Sequence, residues 1–224
     1  MPKSTLIAFD FDGTFYPIAP YDSEQLLMLK CAASKGLLNR TRAKRAVIKD
    51  MKGCSDWQTF TDDYRLHTRS FHQELIDSVV DELIKAVKDE QFELLEELHG
   101  VADLAIISCG TENLIHAFLE RKNIADLFMG VWGKQFHFIE GSSSSMEIHV
   151  HGAQDKKRLL QELRQGYGQT IAIGDGPTDI PMLKSANLGL LVDWTGKKES
   201  PYPFKSFSSF KEACKEALLS IKKA

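Results

Sequence analysis

Two aspartates two residues apart, Asp10 and Asp12, stand directly after an apolar run in Phe9-Asp10-Phe11-Asp12-Gly13-Thr14. Carboxylates this close repel, and burying them together requires a cation or another partner. A plain polar turn after a strand has no use for both. A second pair, Asp175 and Asp179, lies in Gly174-Asp175-Gly176-Pro177-Thr178-Asp179, again just past an apolar run. The turn between them starts a helix through Thr178 and Met182, and on a helical turn a spacing of four puts both carboxylates on one face. Capping that helix would take only one acid. Two acids converging with Asp10 form an oxygen-rich site for a hard divalent cation, and Mg2+ suits phosphate chemistry.

Ser108 follows a third apolar run and precedes a helix opened by Thr111. Its hydroxyl, beside the amides of Cys109 and Gly110, can hold a phosphate oxygen, although serine also ends strands for no chemical reason. Lys156, in Asp155-Lys156-Lys157-Arg158, can neutralise charge on a transferring phosphoryl group. Lys157 and Arg158 read as a solvated basic face, and the choice between Lys156 and Lys157 as the active lysine stays open. No base neighbours Cys109 to mark it as a nucleophile. His149 and His151 share one side of an expected strand and are too few for a metal site.

These residues need elements to position them. The apolar runs Thr5 to Phe9, Leu104 to Ile107, Thr170 to Ile173 and Leu188 to Val192 each end in a polar residue. Such runs, separated by helical patterns, predict a parallel sheet with crossover helices, whose ligands bind beyond the carboxyl ends of the strands. Residues 22–88 carry no strand signal. Asp22 or Ser23 can cap a helix ending at Gly36, Thr41 a second running to Gly53, Asp56 a third to Thr68, and Ser70 a long fourth. Gly141 to Ser145 reads as a loop tip in a hairpin between Val131 and Val150.

Composition sets the outer limits. The chain has 224 residues, 43% of them hydrophobic and 26% charged, with a net charge of -3. That is an ordinary globular balance, able to bury a core without staples, and the overall charge points to neither a nucleic-acid nor a membrane partner. The four cysteines form no CxxC pair, as expected in a reducing compartment. No signal-peptide pattern is read at the N-terminus and no stretch long enough to span a bilayer, so the expected location is cytoplasmic.

Asp10-x-Asp12-x-Thr14, Ser108, Lys156 and Gly174-Asp175-x-x-x-Asp179 come in the order and strand-end placement of the four motifs of the haloacid dehalogenase-like hydrolases. The chain resembles that superfamily from Ile7 to about Leu191, and its phosphoserine phosphatase-like branch in Ile107 to Gly110, in Asp175 to Met182 and in Met51 to Gly53 with Trp57. The resemblance implies an α/β fold, a Rossmann-like parallel sheet with helices on both faces and an inserted all-helical cap. The core would comprise residues 1–20 and 90–224, and the cap residues 21–89.

It also implies a Mg2+-dependent phosphatase working through an aspartyl-phosphate, with a small phosphorylated metabolite as partner. Asp10 would be nucleophile and metal ligand, and Asp12 general acid and then base, its carbonyl also on the metal. Asp175 and Asp179 would complete the metal site and Lys156 would steady the phosphoryl group. Thr14 would orient the loop, while Ser108, with Cys109 and Gly110, would bind phosphate. Tyr16, Trp57 and Arg65 are candidates for the substrate side. Where the phosphoserine enzymes carry an amine-reading glutamate this chain has Ala19, with Asp22 and Glu24 close but out of register, which argues against phosphoserine. A phosphate-binding regulator on the same scaffold would have no need to retain both Asp10 and Asp12.

Overall fold

Leu6 and Ala8 belong to one hydrophobic cluster and Ile7 and Phe9 to another, and all four are fully buried. A strand buried on both faces must lie inside a sheet covered by helices on each side. In the computed structural model, which describes residues 3–196 and 202–223, that strand, β1 (Thr5–Phe9), is central.

The remaining strands are β2 (Asp103–Thr111), β3 (Phe128–Ile139), β4 (Ser142–Ile148), β5 (Gln169–Gly174), β6 (Leu188–Val192) and β7 (Lys205–Phe207). They form one seven-stranded sheet in the order β4-β3-β2-β1-β5-β6-β7. Every pairing is parallel except β3 with β4. Beside β1 the chain winds outward to β2 on one side and to β5 on the other. That reversal opens a crevice at the carboxyl ends of β1, β2 and β5.

The first four helices follow β1, namely α1 (Ser23–Ser34), α2 (Leu37–Met51), α3 (Trp57–His67) and α4 (Glu74–Lys85). After them come α5 (Leu95–Val101), α6 (Glu112–Arg121), α7 (Ala153–Leu163), α8 (Ile180–Ser185) and α9 (Phe210–Lys223). Leu27 of α1, Val79 and Val80 of α4, Phe118 of α6 and Phe210 of α9 share the cluster of Ile7 and Phe9. Leu160 of α7 and Met182 of α8 cover the opposite face. No helix among the described residues is long and apolar enough to cross a membrane.

Several local expectations change. α2 starts at Leu37, directly behind Gly36, and Thr41 sits inside it with its hydroxyl on the Leu37 carbonyl at 3.0 Å. Ser70 caps no helix. It has a φ of 54°, and α4 begins at Glu74, because the chain before it is drawn to the hairpin. Gln73 N donates to Gly141 O at 2.9 Å, and Ser143 N donates to Phe71 O at 2.9 Å. Within the hairpin only Glu140 and Gly141 turn, with φ of 50° and 76°, the positive pair of a tight two-residue turn. The serines 142–145 lie in β4. His149 and His151 fall beyond β4 rather than on it, and His149 Nδ1 meets Glu112 Oε1 at 2.6 Å.

Candidate active site

The loop after β1 carries the first acidic pair. Asp10 N donates to Ile173 O at 2.8 Å, extending the β1–β5 ladder by one residue and placing the side chain at the crevice. The chain then turns, with Phe15 N on Phe11 O at 2.9 Å. Gly13 has a φ of +76°, and a Cβ there would collide with the Asp175 carboxylate, so only glycine lets the two acidic loops approach. Trp194 Nε1 pins the same turn through the Gly13 carbonyl at 2.8 Å.

Asp10, Asp175 and Asp179 each bring one carboxylate oxygen to within 4.8 Å of the others. Lys156, in the first turn of α7, donates to Asp10 Oδ1 at 2.6 Å and to Asp179 Oδ1 at 2.7 Å, and all three side chains are buried. The amides of Asp175 and Gly176 both donate to Asp179 Oδ2 at 3.1 Å. Lys157 is elsewhere, lining a separate cavity with Gln161 and Pro181.

One lysine does not balance three acids. Burial, and then the Asp179 charge, push the Asp10 carboxyl up to about 7 despite Lys156. Burial, then Asp10 and Asp179, push Asp175 up to about 9. Burial alone would lower Lys156, but Asp10 and Asp179 hold it well above the usual lysine range. Hard oxygen donors with surplus negative charge are the donor set of a divalent cation, which would favour their ionised forms.

Asp12 is held from the insertion. Its Oδ1 accepts from the Tyr16 hydroxyl and from Ser23 N at 2.9 Å, and its Oδ2 meets Ser23 Oγ at 3.0 Å. Opposite it, β2 leaves register with β3 between Ile107 and Thr111, which frees Ser108, Cys109 and Gly110 from the ladder. A Cβ on Gly110 would lie 2.7 Å from Asp12 Oδ2. Gly110 N donates to Ser108 Oγ at 3.0 Å, leaving the serine proton for another acceptor. Thr14 is fully buried, and its hydroxyl has no hydrogen-bond partner among the described residues.

Asp10, Asp12, Ser108, Cys109, Gly110, Lys156 and Asp175 surround one cavity of about 220 Å³, completed by Ile18, Asp22, Glu24 and residues 176–178. Burial raises the Cys109 thiol, with Lys156 opposing. Three substrate candidates lie outside the cavity lining. Tyr16 is 1% exposed and its hydroxyl is engaged by Asp12. Trp57 starts α3 with its ring centroid 5.3 Å from that of His151. Arg65 lines a different cavity, of about 560 Å³, between α3 and the β3–β4 hairpin.

Asp22 and Glu24, which the alignment with the phosphoserine enzymes leaves out of register, are in the cavity wall. Asp22 caps α1 through Gln25 N at 2.8 Å, so one helix start supplies both of these acids and Ser23. Glu24 is buried against Lys134 Nζ at 2.7 Å and Thr111 Oγ1 at 2.9 Å. Lys134 also donates to the Cys109 carbonyl, tying α1 to the phosphate-side loop. A cap residue signals Asp22 in the sequence, but nothing local marks Lys134, which is 110 residues from Glu24.

A family model for haloacid dehalogenase-like hydrolases matches residues 5–187. A 2-hydroxy-3-keto-5-methylthiopentenyl-1-phosphate phosphatase of Microcystis aeruginosa is 28% identical over 116 residues, 48% of this chain and 53% of that protein. The chain thus spans about half the length of the curated relatives it matches. Among solved structures, a HAD family hydrolase from Salmonella enterica serovar Typhi superposes with a TM-score of 0.72 at 19% identity, over 94% of this chain and 70% of that one. A substrate-bound phosphoserine phosphatase superposes with a TM-score of 0.70 at 17% identity, over 98% and 99%. At those identities the likeness is one of fold.

Proposed function

The chain belongs to the haloacid dehalogenase-like hydrolase family, and from that membership we propose that it is a Mg2+-dependent phosphomonoesterase acting on a small metabolite through phosphate carried on Asp10. The observation that carries this reading is Lys156, buried between Asp10 and Asp179 with Asp175 alongside. A structural ion pair needs one acid. Three acids around one ammonium, at the strand ends of an open cavity, fit a centre that receives both a cation and an anion.

Asp10, Asp175 and Asp179 would hold Mg2+, which supplies charge to offset the carboxylates and the incoming phosphate. An Asp10 carboxylate oxygen attacks phosphorus as the ester P–O bond breaks, and the leaving oxygen takes a proton from Asp12. Asp12 then takes a proton from water, whose oxygen attacks the same phosphorus. The P–O bond to Asp10 breaks and inorganic phosphate leaves.

The surroundings of Asp12 suit both duties. Oδ1 is occupied by two donors, whereas Oδ2 meets only the Ser23 hydroxyl, which accepts as readily as it donates. Oδ2 is therefore the proton-carrying atom. Lys156 neutralises charge at Asp10 Oδ1 in both steps, and the Ser108 proton is free for a phosphate oxygen.

Among the described residues Lys156 is the only cation lining the cavity. A second anionic group on the substrate would find no partner there, which favours an ester whose remainder is neutral or cationic. The substrate in the Microcystis relatives' name carries hydroxy, keto and methylthio groups and fits that description. Phosphoserine, with a carboxylate and with Arg65 in another cavity, fits it less well. Residues 21–89 would act as the cap that closes over this cavity and selects among esters.

The test is a panel of phosphorylated metabolites scored by phosphate release with Mg2+ and again after chelation. Release confined to Mg2+-loaded protein and strongest on esters without a carboxylate is expected. Absence of release from every ester would leave a phosphate-binding protein, and undiminished release after chelation would refute the metal site.

A further inference from the structure

The outward face of α2 plays no part in the chemistry above. From Arg40 to Lys52 the chain carries Arg40, Arg42, Lys44, Arg45, Lys49 and Lys52 against a single acid, Asp50, a stretch of net +5 in a chain of net -3. All six cations are exposed. Among the described residues none of them closes an ion pair or donates a side-chain hydrogen bond. Asp50 is half-buried, accepts from Gln25 Nε2 at 2.8 Å and closes no ion pair with them.

The same helix exposes large apolar side chains. Leu37 is 78% exposed, Leu38 65%, Met51 51% and Ile48 49%, while Ala43, Ala46 and Val47 form the buried side. At 3.6 residues per turn Leu37, Ile48 and Met51 fall within an arc of about 60°. Lys44 lies inside that arc, with Arg40 on one flank and Lys52 and Arg45 on the other.

We propose that this face of α2 seats the protein on an anionic lipid surface. Apolar side chains in the middle of the face enter the boundary between headgroups and acyl chains, and the flanking cations meet lipid phosphates. The weak overall negative charge does not oppose this, because in physiological salt charges farther than about 8 Å are screened from the surface. A nucleic acid would use the same cations, but its interfaces are polar and leave Leu37, Ile48 and Met51 without a role. Lipid uses both halves of the pattern.

The experiment is co-sedimentation of the full chain with phosphatidylcholine vesicles containing roughly 30 mol % phosphatidylglycerol, with pure phosphatidylcholine as control. Two variants accompany it, Arg40→Glu/Arg45→Glu and Leu37→Ser/Ile48→Ser, each checked for unchanged melting and unchanged phosphate release from a soluble ester. Wild type is expected to sediment with anionic vesicles only, and less at high salt. Reversing two cations should lower the partition coefficient by at least about thirtyfold, and the apolar variant should bind detectably more weakly than wild type at any salt.

Wild type remaining in the supernatant at low salt would overturn the proposal. So would equal binding by the charge-reversed variant. Binding to duplex DNA that exceeds binding to vesicles and ignores Leu37→Ser/Ile48→Ser would overturn it in favour of nucleic acid. None of the four substituted residues lines the cavity at the strand ends, and vesicle binding is read without substrate, so these outcomes do not depend on whether the hydrolase reading holds.

Discussion

Lys156 and Lys134 at the strand ends, and Arg45 in α2, are cations under opposite conditions. Lys156 is 1% exposed between two carboxylates, and Lys134 is 4% exposed between the Glu24 carboxylate and the Cys109 carbonyl. The cations of α2 are exposed and have no such partners. A buried charge without a partner is heavily penalised, so each buried cation comes with its oxygens and a fixed position. An exposed charge tolerates isolation because water solvates it. Unpartnered surface charge is therefore available to a ligand without first breaking anything, whereas Lys156 and Lys134 are already held by oxygens of the chain.

The contrast is broken most severely by Lys156→Met. Two buried carboxylates would lose their compensation, lowering stability by about 3–5 kcal/mol in a denaturant titration, and turnover should fall below detection. Added Mg2+ should restore part of the stability but not the turnover. A variant as stable as wild type without metal would mean that Lys156 does not offset the acids.

Lys134→Met should destabilise by a comparable amount with a pH signature. Burial raises the Glu24 carboxyl, and Lys134 pulls it back. Without Lys134 the folded form holds its proton to still higher pH, while the unfolded chain ionises near 4.5. The stability deficit should therefore be smallest below pH 4.5 and grow as pH rises through the folded value. A deficit that is flat with pH would show that packing, not the charge, is lost.

Ser23→Ala should cost about 1 kcal/mol of stability. Its effect on catalysis should be larger, roughly tenfold in kcat on an alkyl phosphate. An unchanged kcat would remove Ser23 from the proton path of Asp12. Arg45→Ala should change stability by less than about 0.5 kcal/mol and leave turnover alone, and a larger loss would reveal a partner for that guanidinium.

Much of this was legible because doubly buried strands write themselves as apolar runs. β1, β2, β5 and β6 all stand where those runs predict, and the acids at their ends follow from that placement. β7 has only three residues, none of them fully buried, and left no such mark. Thr41 and Ser70 misled because a capping residue is informative only where the chain is free to begin a helix. At Ser70 the hairpin claims the backbone that follows, at Phe71 and Gln73, through contacts with Ser143 and Gly141. The same limit applies to Arg65, a substrate candidate by its place in the sequence, whereas the cavity it lines is set by the packing of α3 against the hairpin. An average charge of -3 likewise concealed the basic face of α2, since composition does not record where charges fall.

The central claim is that Asp10 carries the phosphoryl group while Asp12 only moves protons. It is tested most directly by the Asp12→Asn variant with nitrophenyl phosphate, whose leaving group needs no proton. The account predicts a burst of nitrophenol near one equivalent, then a slow steady rate, with phosphate located on Asp10 by mass spectrometry. Phosphate found on Ser108, or a steady rate with no burst and no modified aspartate, would contradict it.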